Sequence, residues 1–392
     1  MLIKDKKIAV AGGGPGGLML ARLLQLKGAD VKVYEGDLNK DVRLQGATLD
    51  LHEHSGLKAL RESKLLSKFK ESYRAGADKM RVADSNTVIY YDQHAEHDSR
   101  DFGHAYFRPE IDRGPLRDIL LESLQAESVV WNSHLLSIER EHSKWKLLFS
   151  NGTSALADIV IGADGAHSKI RPFVTPVRAF YTGITMLEGS VCNSAATTPN
   201  VHAMLKGGKI FAFGNSNSFI TSSKGDGGLL FYIGFRASEG WLYECGLDFN
   251  NRADVAAWFR REFPEWCEVW YELFDNAETA FVPRPVYCMP PDQTWKPLPD
   301  LTLIGDAAHL MPPYAGEGVN MAMLDALELS DCLCSNEFKS IGSAIAAYEI
   351  KMRKRASAAA KLSLDNTNWM HSARAIEKML SLFEYLKSVT VQ

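Results

Sequence analysis

The feature that most constrains this chain is a glycine-rich turn near its N-terminus, where residues 12–17 read GGGPGG. A short apolar segment with β-branched residues, Lys7–Ala11, precedes the turn, and an apolar segment at 18–27 that favours a helix follows it. A second segment with strand character comes next, at 30–35. This order predicts a βαβ unit with a buried parallel sheet, the unit from which nucleotide-binding domains are built.

The glycines of this turn fit the G-x-G-x-x-G pattern at Gly12, Gly14 and Gly17. In that pattern the first glycine permits a tight turn, the second lets the backbone approach a pyrophosphate, and the third lets helix and strand pack closely. Glu35 ends the second predicted strand, close to the ~20-residue separation expected of a carboxylate that binds a ribose hydroxyl. The turn therefore predicts a dinucleotide site but does not decide which dinucleotide.

Length and composition are those of a globular chain. At ~150 residues per domain, 392 residues predict two to three domains. A net charge of −4 without a clustered basic face predicts no nucleic-acid partner. The six cysteines are scattered without metal-ligand spacing, and no segment has the ~18 uninterrupted apolar residues of a membrane helix. We expect a cytoplasmic monomer with reduced thiols, no metal and no membrane association.

Two segments before the middle of the chain have clear local patterns. Residues 112–124 favour a helix with Asp112 as its N-cap, and residues 129–148 favour antiparallel strands with a turn at 151–152.

The sequence pattern changes in the middle of the chain. From about 178 to 285, short strands rich in Phe, Tyr, Ile and Thr alternate with Gly, Asn and Ser turns, which favours a mostly antiparallel sheet. We therefore predict an α/β fold, with this sheet inserted into a discontinuous Rossmann-like domain and a C-terminal helix, at 344–362, bridging the two. The predicted boundaries are 1–72, 104–177 and 286–337 for the nucleotide-binding domain, 73–103 and 178–285 for the sheet domain, and 338–392 for the C-terminal helices.

Two later stretches carry acidic and glycine residues directly after predicted buried strands. Asp164-Gly165 follows one strand, and Gly305-Asp306 follows another and leads into a glycine-rich loop that ends at Asn320. Together with the N-terminal turn, and in this order, these motifs resemble the class A flavoprotein aromatic hydroxylases, which are FAD-dependent monooxygenases. The resemblance covers roughly residues 7–331.

The resemblance implies that FAD is the cofactor. Asp306 would bind the ribityl chain and pyrophosphate, and Asp164 would lie near the pyrophosphate and the pyridine nucleotide. The loop with Gly316, Gly318 and Asn320 would line the isoalloxazine, and its N–H groups would stabilise negative charge on reduced flavin. A plain helix N-cap is the alternative role for Asp306. His309 is expected to be a packing residue rather than a base.

A narrower resemblance, to the Tet(X)-type tetracycline-inactivating monooxygenases, rests on residues 33–35, 43, 46–52, 110–113, 116–121 and 305–313. It implies that Arg43 is associated with NADPH and that Asp50, Arg113 and Asp306 contact FAD. A guanidinium can bind phosphate or carbonyl oxygens, which gives Arg113 a physical reason to be there. The alternatives are a basic loop residue for Arg43 and a surface residue at a helix start for Arg113.

These resemblances imply a single-component enzyme in which NADPH or NADH reduces FAD, and O2 then forms a C4a-hydroperoxide that hydroxylates an aromatic or polycyclic substrate. The flavin carries the chemistry, so no catalytic side chain is required. The substrate could be a tetracycline or another phenolic or polyketide compound. A flavin dehydrogenase without oxygen insertion and a non-catalytic binding protein remain as alternatives. Aromatic residues in the inserted sheet could form the substrate walls or simply pack in the core, namely Phe211, Phe213, Phe219, Phe231 and Tyr232.

Overall fold

The computed structural model describes residues 2–42, 48–95, 100–278 and 280–390. The described strands are β1 (Lys7–Ala11), β2 (Asp30–Tyr34), β3 (Leu49–Asp50), β4 (Met80–Asp84), β5 (Ile89–Asp92), β6 (Glu110–Ile111), β7 (Val129–Val130), β8 (Leu135–Glu141), β9 (Lys144–Phe149), β10 (Ser154–Ala157), β11 (Ile159–Gly162), β12 (Phe180–Val191), β13 (Lys209–Gly214), β14 (Asn217–Ser223), β15 (Leu229–Arg236), β16 (Val282–Cys288) and β17 (Leu301–Leu303). The described helices are α1 (Pro15–Leu26), α2 (Gly56–Glu62), α3 (Leu66–Ser72), α4 (Arg113–Glu122), α5 (Arg171–Val174), α6 (Ser194–Thr197), α7 (Pro199–Leu205), α8 (Trp241–Glu244), α9 (Arg252–Glu262), α10 (Glu268–Asp275), α11 (Asp306–His309), α12 (Gly318–Cys334), α13 (Ile341–Met370) and α14 (Ala375–Thr390). None of these helices is both long and apolar enough to span a lipid bilayer.

A parallel sheet forms the base of the nucleotide-binding part, with strand order β17-β11-β1-β2-β7. Strand β1 lies at its centre and is almost entirely buried, as its run of apolar residues predicts. Helix α1 begins at Pro15, earlier than expected, because proline at the first helical position is already set to the helical φ angle. Val129–Val130, expected among antiparallel strands, instead pairs in parallel with β2.

A second, antiparallel sheet contains β10, β9 and β8, in that order. The turn predicted at residues 151–152 connects β9 to β10. The side-chain carbonyl of Asn151 accepts hydrogen bonds from the Thr153 N–H at 2.9 Å and from its hydroxyl at 2.6 Å. This local side-chain-to-backbone bond is what makes asparagine a turn residue.

The inserted region forms a mixed sheet with strand order β16-β12-β15-β14-β13-β4-β5. All of its described pairings are antiparallel except that of β13 with β4, so the expected mostly antiparallel sheet is confirmed. Strands β4 and β5 come from an earlier part of the chain than the other strands, which makes the sheet discontinuous in sequence as well. We call this the large sheet.

The two faces of the large sheet have different partners. One face packs on α9 and α10 in an aromatic core, where Phe219 stacks on Phe231 with ring centroids 5.8 Å apart. These two phenylalanines are core residues and do not line a substrate cavity. The opposite face carries Phe211, Phe213 and Tyr232, which pack toward Tyr314 and the end of α13. Successive strand residues point to opposite faces, so strand register decides this division.

Helix α13 packs against both the nucleotide-binding part and the large sheet, so it is the bridging helix that the sequence predicts. Its first half contributes Ile345 and Tyr348 to the core around the parallel sheet, and the Tyr348 hydroxyl donates to the Leu303 carbonyl at 3.0 Å. At its other end Met370 packs against the large sheet. The buried Glu349 carboxylate accepts hydrogen bonds from Trp295 at 2.9 Å and from Thr302 at 2.8 Å, which fixes the register of the helix.

Candidate active site

The glycine turn follows β1 and leads directly into α1. Gly12 has φ +109°, and a Cβ there would lie 2.2 Å from the Ala163 carbonyl oxygen. A Cβ at Gly17 would lie 2.1 Å from the Gly12 oxygen. At Gly14, by contrast, no atom of the described residues would come within 4 Å of an added Cβ. Gly12 and Gly17 are therefore required by packing, whereas Gly14 faces open space.

The N-terminus of α1 faces that same space. The first backbone bond of the helix runs from Leu18 N–H to the Gly14 carbonyl at 3.0 Å, so the N–H groups of Gly16 and Gly17 precede the helical ladder. Such groups, together with the helix dipole, make an anion site. The buried Glu35 carboxylate accepts from Gly13 N–H at 2.6 Å and from Asp37 N–H at 3.0 Å. Glu35 thus holds the glycine turn in place, and its contact with a ribose stays a prediction.

Asp164 lies next to Gly12 but directs its carboxylate into its own loop. It accepts hydrogen bonds from the Ser168 hydroxyl at 2.6 Å and from Lys169 N–H at 2.7 Å. Arg171, to which the sequence analysis gave no role, joins this loop to the Gly-Asp motif. Its guanidinium donates to the carbonyls of Asp306 and Ala307, each at 2.6 Å. The sequence signal for this role was that Arg171 is a basic residue in the segment that follows Asp164-Gly165.

Asp306 begins the short helix α11 at the carboxyl end of β17. Its side chain is partly accessible to solvent, and no described residue donates a hydrogen bond to its carboxylate. Burial raises the pKa of this carboxyl, while His309, Arg113 and Arg171 act in the opposite direction. No helix-capping bond from its side chain occurs among the described residues either, so the N-cap alternative has no support. A half-buried carboxylate that no described residue donates to is suited to accept bonds from ligand hydroxyls.

His309 is buried beneath this motif, as expected, but it forms an ion pair rather than an apolar contact. Its Nε2 lies 2.6 Å from an oxygen of Asp325, which also accepts from Gly305 N–H at 2.9 Å. The other Asp325 oxygen accepts from Arg355 of α13. Although burial acts to lower the pKa of His309, the Asp325 carboxylate outweighs it and raises that pKa. This network anchors the Gly305 turn to α12 and α13.

The glycine-rich loop between α11 and α12 passes over Asp50. Gly316 has φ +66°, and an added Cβ there would lie 3.0 Å from an Asp50 oxygen, whereas Gly318 has open space on its Cβ side. The first helical backbone bond runs from Met321 N–H to the Glu317 carbonyl at 2.8 Å. The N–H groups before it, at residues 318–320, belong to the open first turn.

Asn320 is fully buried. Both ends of its side-chain amide bond to other groups of the described protein. Its amide oxygen accepts from His52 N–H at 2.8 Å and from Gly56 N–H at 3.3 Å. Its amide nitrogen donates to the carbonyls of Asp50 at 2.9 Å and Gly316 at 3.1 Å. Asn320 therefore joins α12 to the segment after β3, and only its backbone N–H is available for the predicted flavin contact.

Asp50 sits in a cluster of charges at the edge of the site. Its carboxylate lies 3.0 Å from His52 Nε2 and 3.8 Å from an Arg108 nitrogen. Burial alone would raise the pKa of Asp50, but the bond from His52 and the charges of Lys209 and Arg108 hold it well below its usual range. Lys209 reaches this cluster from the large sheet and forms an ion pair with buried Glu110.

Arg113 lies at the N-terminus of α4, between the Gly-Asp motif and the large sheet. Its side chain is exposed to solvent, yet the surrounding protein desolvates its guanidinium. Desolvation lowers its pKa, and Tyr232, Asp306 and Glu188 oppose that effect. The preceding Asp112 does not cap α4 as expected, because its carboxylate instead accepts from Gly225 N–H at 2.9 Å.

A polar contact that the sequence analysis missed joins the glycine-rich loop to the large sheet. His371 Nδ1 lies 2.7 Å from the Thr367 carbonyl, which can only accept, so the neutral ring carries its proton on Nδ1. Its Nε2 then accepts from the hydroxyls of Ser218 at 3.0 Å and Tyr314 at 3.3 Å. Burial lowers the pKa of His371 to about 4. Ser218, Tyr314 and His371 lie far apart in the sequence, so no local motif predicted their contact.

The structure thus brings together most of the expected site residues around one space. They are the turn glycines Gly12, Gly14 and Gly17 with Glu35, the loop residues Asp164, Gly316, Gly318 and Asn320, and the side chains Asp50, Arg113 and Asp306. Arg43 lies outside the described residues. The open side of Gly14, the α1 N-terminus and the Asp306 carboxylate, which accepts no bond from the part of the chain that the structure describes, fit the pyrophosphate and hydroxyl groups of FAD.

Comparisons with known proteins agree with this geometry. A family model described as an FAD binding domain matches residues 5–222 and 300–363. The chain is 28% identical to monooxygenase asqM of Emericella nidulans, with 83% of each chain covered. Among solved structures, HpxO of Klebsiella pneumoniae, complexed with FAD and uric acid, has a TM-score of 0.75 at 20% identity, covering 98% of this chain and 94% of that one. The tetracycline destructase Tet(55) has a TM-score of 0.74 at 19% identity, covering 97% and 96%.

At these identities the solved structures establish the fold, whereas the family model covers well over half of the chain, including every segment that carries one of the three motifs. The resemblance noted in the sequence is confirmed, because the chain is similar to monooxygenases and belongs to the FAD-binding domain family.

Proposed function

We propose that this protein takes electrons from NADPH or NADH and uses O2 to hydroxylate an aromatic or polycyclic compound. The observation that carries the proposal is the position of Asp306. Its partly accessible carboxylate accepts no hydrogen bond from the described residues and lies within electrostatic range of Arg113. Arg113 in turn interacts with Tyr232 on the large sheet. A cofactor at Asp306 would therefore face that sheet.

The chain's own residues would hold FAD at both ends. The N–H groups at the start of α1 would bind the pyrophosphate above Gly14. Asp306 would accept bonds from the ribityl hydroxyls, and the first turn of α12 would direct its N–H groups at the flavin ring. Bound FAD would supply electron transfer and oxygen activation.

The large sheet would supply the other wall of the reaction space. Phe211 and Tyr232 lie on the face opposite the aromatic core and are only partly buried, so they would position a flat, apolar ring. A closed apolar wall also limits the access of water, which oxygen insertion requires. The chain has one G-x-G-x-x-G turn, so the pyridine nucleotide would bind transiently at the FAD-binding part rather than in a second Rossmann domain.

The test is a panel of aromatic compounds incubated with holoenzyme, NADPH or NADH, and 18O2. We expect at least one compound to accelerate NAD(P)H oxidation and to gain the mass of one 18O atom. Substrate-stimulated NAD(P)H oxidation that yields only H2O2 with every compound would instead favour an oxidase or dehydrogenase. Binding without any NAD(P)H oxidation would favour a sequestering protein.

A tetracycline is the first substrate to test. Support comes from the structural similarity to Tet(55) and from the Tet(X)-type resemblance around residues 33–52 and 110–121. These segments lie outside the large sheet and so bear on cofactor binding more than on substrate choice. With NADPH and O2, we expect a gain of one oxygen and loss of the drug's long-wavelength absorbance. Unchanged drug, from protein that hydroxylates another aromatic compound, would exclude this substrate and leave the broader proposal intact.

A further inference from the structure

A histidine lies between two carboxylates beside the glycine-rich loop. His52 follows β3, and its Nε2 lies 3.0 Å from an Asp50 oxygen, while its Nδ1 lies 3.6 Å from an oxygen of Glu317. All three side chains are mostly buried, with exposed fractions of 13% for His52, 21% for Asp50 and 18% for Glu317. We call these three residues the acid–histidine–acid group.

Glu317 does not cap the helix that it precedes. It occupies the N-cap position of α12, but its side chain forms no capping bond with the described residues and instead approaches His52. An acidic side chain at this position ordinarily accepts bonds from the N–H groups of its own helix. Because Glu317 is turned toward His52, its carboxylate does not compete with a ligand for the N–H groups of the first turn.

The ring of His52 faces an acceptor on each side. An ionised carboxylate accepts hydrogen bonds and donates none, so a ring that serves both carboxylates must carry a proton on each nitrogen. The backbone N–H of His52 donates to the Asn320 amide oxygen at 2.8 Å, which holds the residue against α12. The geometry therefore suits an imidazolium with one positive charge.

The charges around this group balance. Asp50 also lies 3.8 Å from an Arg108 nitrogen, so two cations stand against the two carboxylates of the group. Lys209 acts on Asp50 as well, but it forms an ion pair with buried Glu110. Removal of one charged member would therefore leave an uncompensated charge beside the glycine-rich loop.

The same loop carries the features assigned to the flavin ring. Gly318 has open space on its Cβ side, and the N–H groups of the first turn of α12 begin there. Charge near a flavin ring is one of the means by which a protein tunes the cofactor's electronics. Reduced flavin carries more negative charge than oxidised flavin, so a nearby cation favours the reduced form and a nearby anion favours the oxidised form.

We propose that His52 and Glu317 set the reduction potential of the bound flavin, with His52 raising it and Glu317 lowering it. The proposal rests on the proposed function for the place of the flavin ring at this loop. The two residues act through their charges alone, so no bond forms or breaks on either of them.

The test is the midpoint potential of FAD in the holoenzyme, measured by equilibration with a redox dye of known potential. Glu317→Gln keeps the shape and removes the charge. It should increase the affinity for reduced FAD relative to oxidised FAD about tenfold, which raises the potential of a two-electron couple by about 30 mV. His52→Gln should lower the potential by a similar amount, and His52→Lys, which restores a positive charge, should return it toward the wild-type value.

Glu53→Gln is the matched control. Glu53 follows His52 directly and its side chain is 11% exposed, but it pairs with Arg61 of α2. This variant should keep the wild-type potential. Opposite shifts from two substitutions in one contact also separate an effect of charge from an effect of packing, because a loosened loop would change the potential in the same direction in both variants.

Unchanged potentials in Glu317→Gln and His52→Gln, or shifts of both in one direction, would overturn the proposal. So would an equally large shift in Glu53→Gln. The proposed function fails by a different observation, namely NAD(P)H oxidation without oxygen transfer to any compound. The potential itself is measured without NAD(P)H or substrate.

Discussion

The three glycines of the N-terminal turn have different reasons to be glycine, and this difference can be tested. Gly17→Ala should destabilise the fold by about 1–3 kcal/mol, because the new methyl group would overlap the Gly12 carbonyl. Gly14→Ala should change the stability of the apoprotein by less than about 0.5 kcal/mol, since nothing described lies near its Cβ position. It should nevertheless weaken FAD binding, because the methyl group occupies the space assigned to the pyrophosphate.

Urea unfolding of the apoproteins and titration with FAD would measure the two effects separately. A Gly14→Ala variant that binds FAD as tightly as the wild type would place the pyrophosphate elsewhere. A Gly17→Ala variant with wild-type stability would contradict the packing described here.

Asp306 provides the second prediction at this scale. Asp306→Ala should weaken FAD binding about 10-fold to 100-fold, because a hydrogen bond to a charged group contributes about 1.5–3 kcal/mol. Asp275→Ala, which removes a surface carboxylate paired with Arg260, is the control and should retain FAD. Equal flavin occupancy of the two variants after dialysis would remove Asp306 from the site.

His371 predicts a pH dependence. Its pKa is about 4 in the folded protein, below the usual value of 6.5, so the unfolded chain binds its proton more readily. Stability that His371 contributes is present above about pH 6.5 and is lost as the pH falls toward 4. Between about pH 7 and pH 5 the wild type should lose about 2 kcal/mol more unfolding free energy than His371→Gln. Parallel pH profiles of the two proteins would contradict the burial of a neutral ring.

At the residue scale the motifs located the site but not the partner of each side chain. Asp164 and Asn320 belong to motifs expected to bind cofactor, yet their side chains bond to Ser168 and to Gly56 of the protein. A cofactor loop needs residues that hold it as well as residues that touch the ligand, and a motif contains both kinds. The difference depends on contacts that are distant in sequence.

At the scale of elements, Asn320 predicts that α12 and the segment after β3 are stabilised together. Asn320→Ala would leave the partly buried carbonyls of Asp50 and Gly316 and the N–H of His52 without this partner. Each buried unsatisfied group costs about 1–3 kcal/mol, so the melting temperature should fall by several degrees. FAD retention should fall as well, because the glycine-rich loop loses its anchor.

Asn200→Ala is the matched control for that experiment. Asn200 also bonds through its side chain, to Glu272, but it is exposed on α7. A similar loss of melting temperature in both variants would show that burial of Asn320 is not what makes its bonds important.

Elements with strong patterns were predicted well, and their partners were not. Strand β1 has the predicted bounds because its apolar run lies between polar and glycine residues. Val129–Val130 was assigned to antiparallel pairing although it lies beside β2 in the parallel sheet. Phe219 and Phe231 face the aromatic core rather than the cleft. The partner of a strand and the face to which its side chains point both depend on strand register. The sequence of one short strand does not determine that register.

For the whole molecule, an ion pair between Lys209 and Glu110 links the large sheet to the short strand β6, next to Arg113. Glu110 is 1% exposed, so Lys209→Met should leave a buried charge without its partner and cost about 3–5 kcal/mol. The double variant Lys209→Met with Glu110→Gln should recover much of that loss. Urea unfolding of the wild type, Lys209→Met, Glu110→Gln and the double variant measures both effects, and additive losses in the double variant would contradict the pairing.

The sequence predicted the two sheets and the bridging helix because each follows from a pattern within one segment. It did not predict how their surfaces meet, since the contacts of Arg171 with the Gly-Asp motif and of His371 with Tyr314 join segments far apart in the chain. The predicted domain boundaries, which depend on such long-range contacts, stay predictions.

The central claim is that the space between Gly14, Asp306 and the first turn of α12 holds FAD. The most direct measurement is the flavin released on denaturation of the purified protein, identified by chromatography and compared with the protein concentration. The account predicts a yellow protein that releases stoichiometric FAD, and apoprotein that takes FAD up again. Release of FMN, or an apoprotein that binds neither flavin while remaining folded, would contradict it.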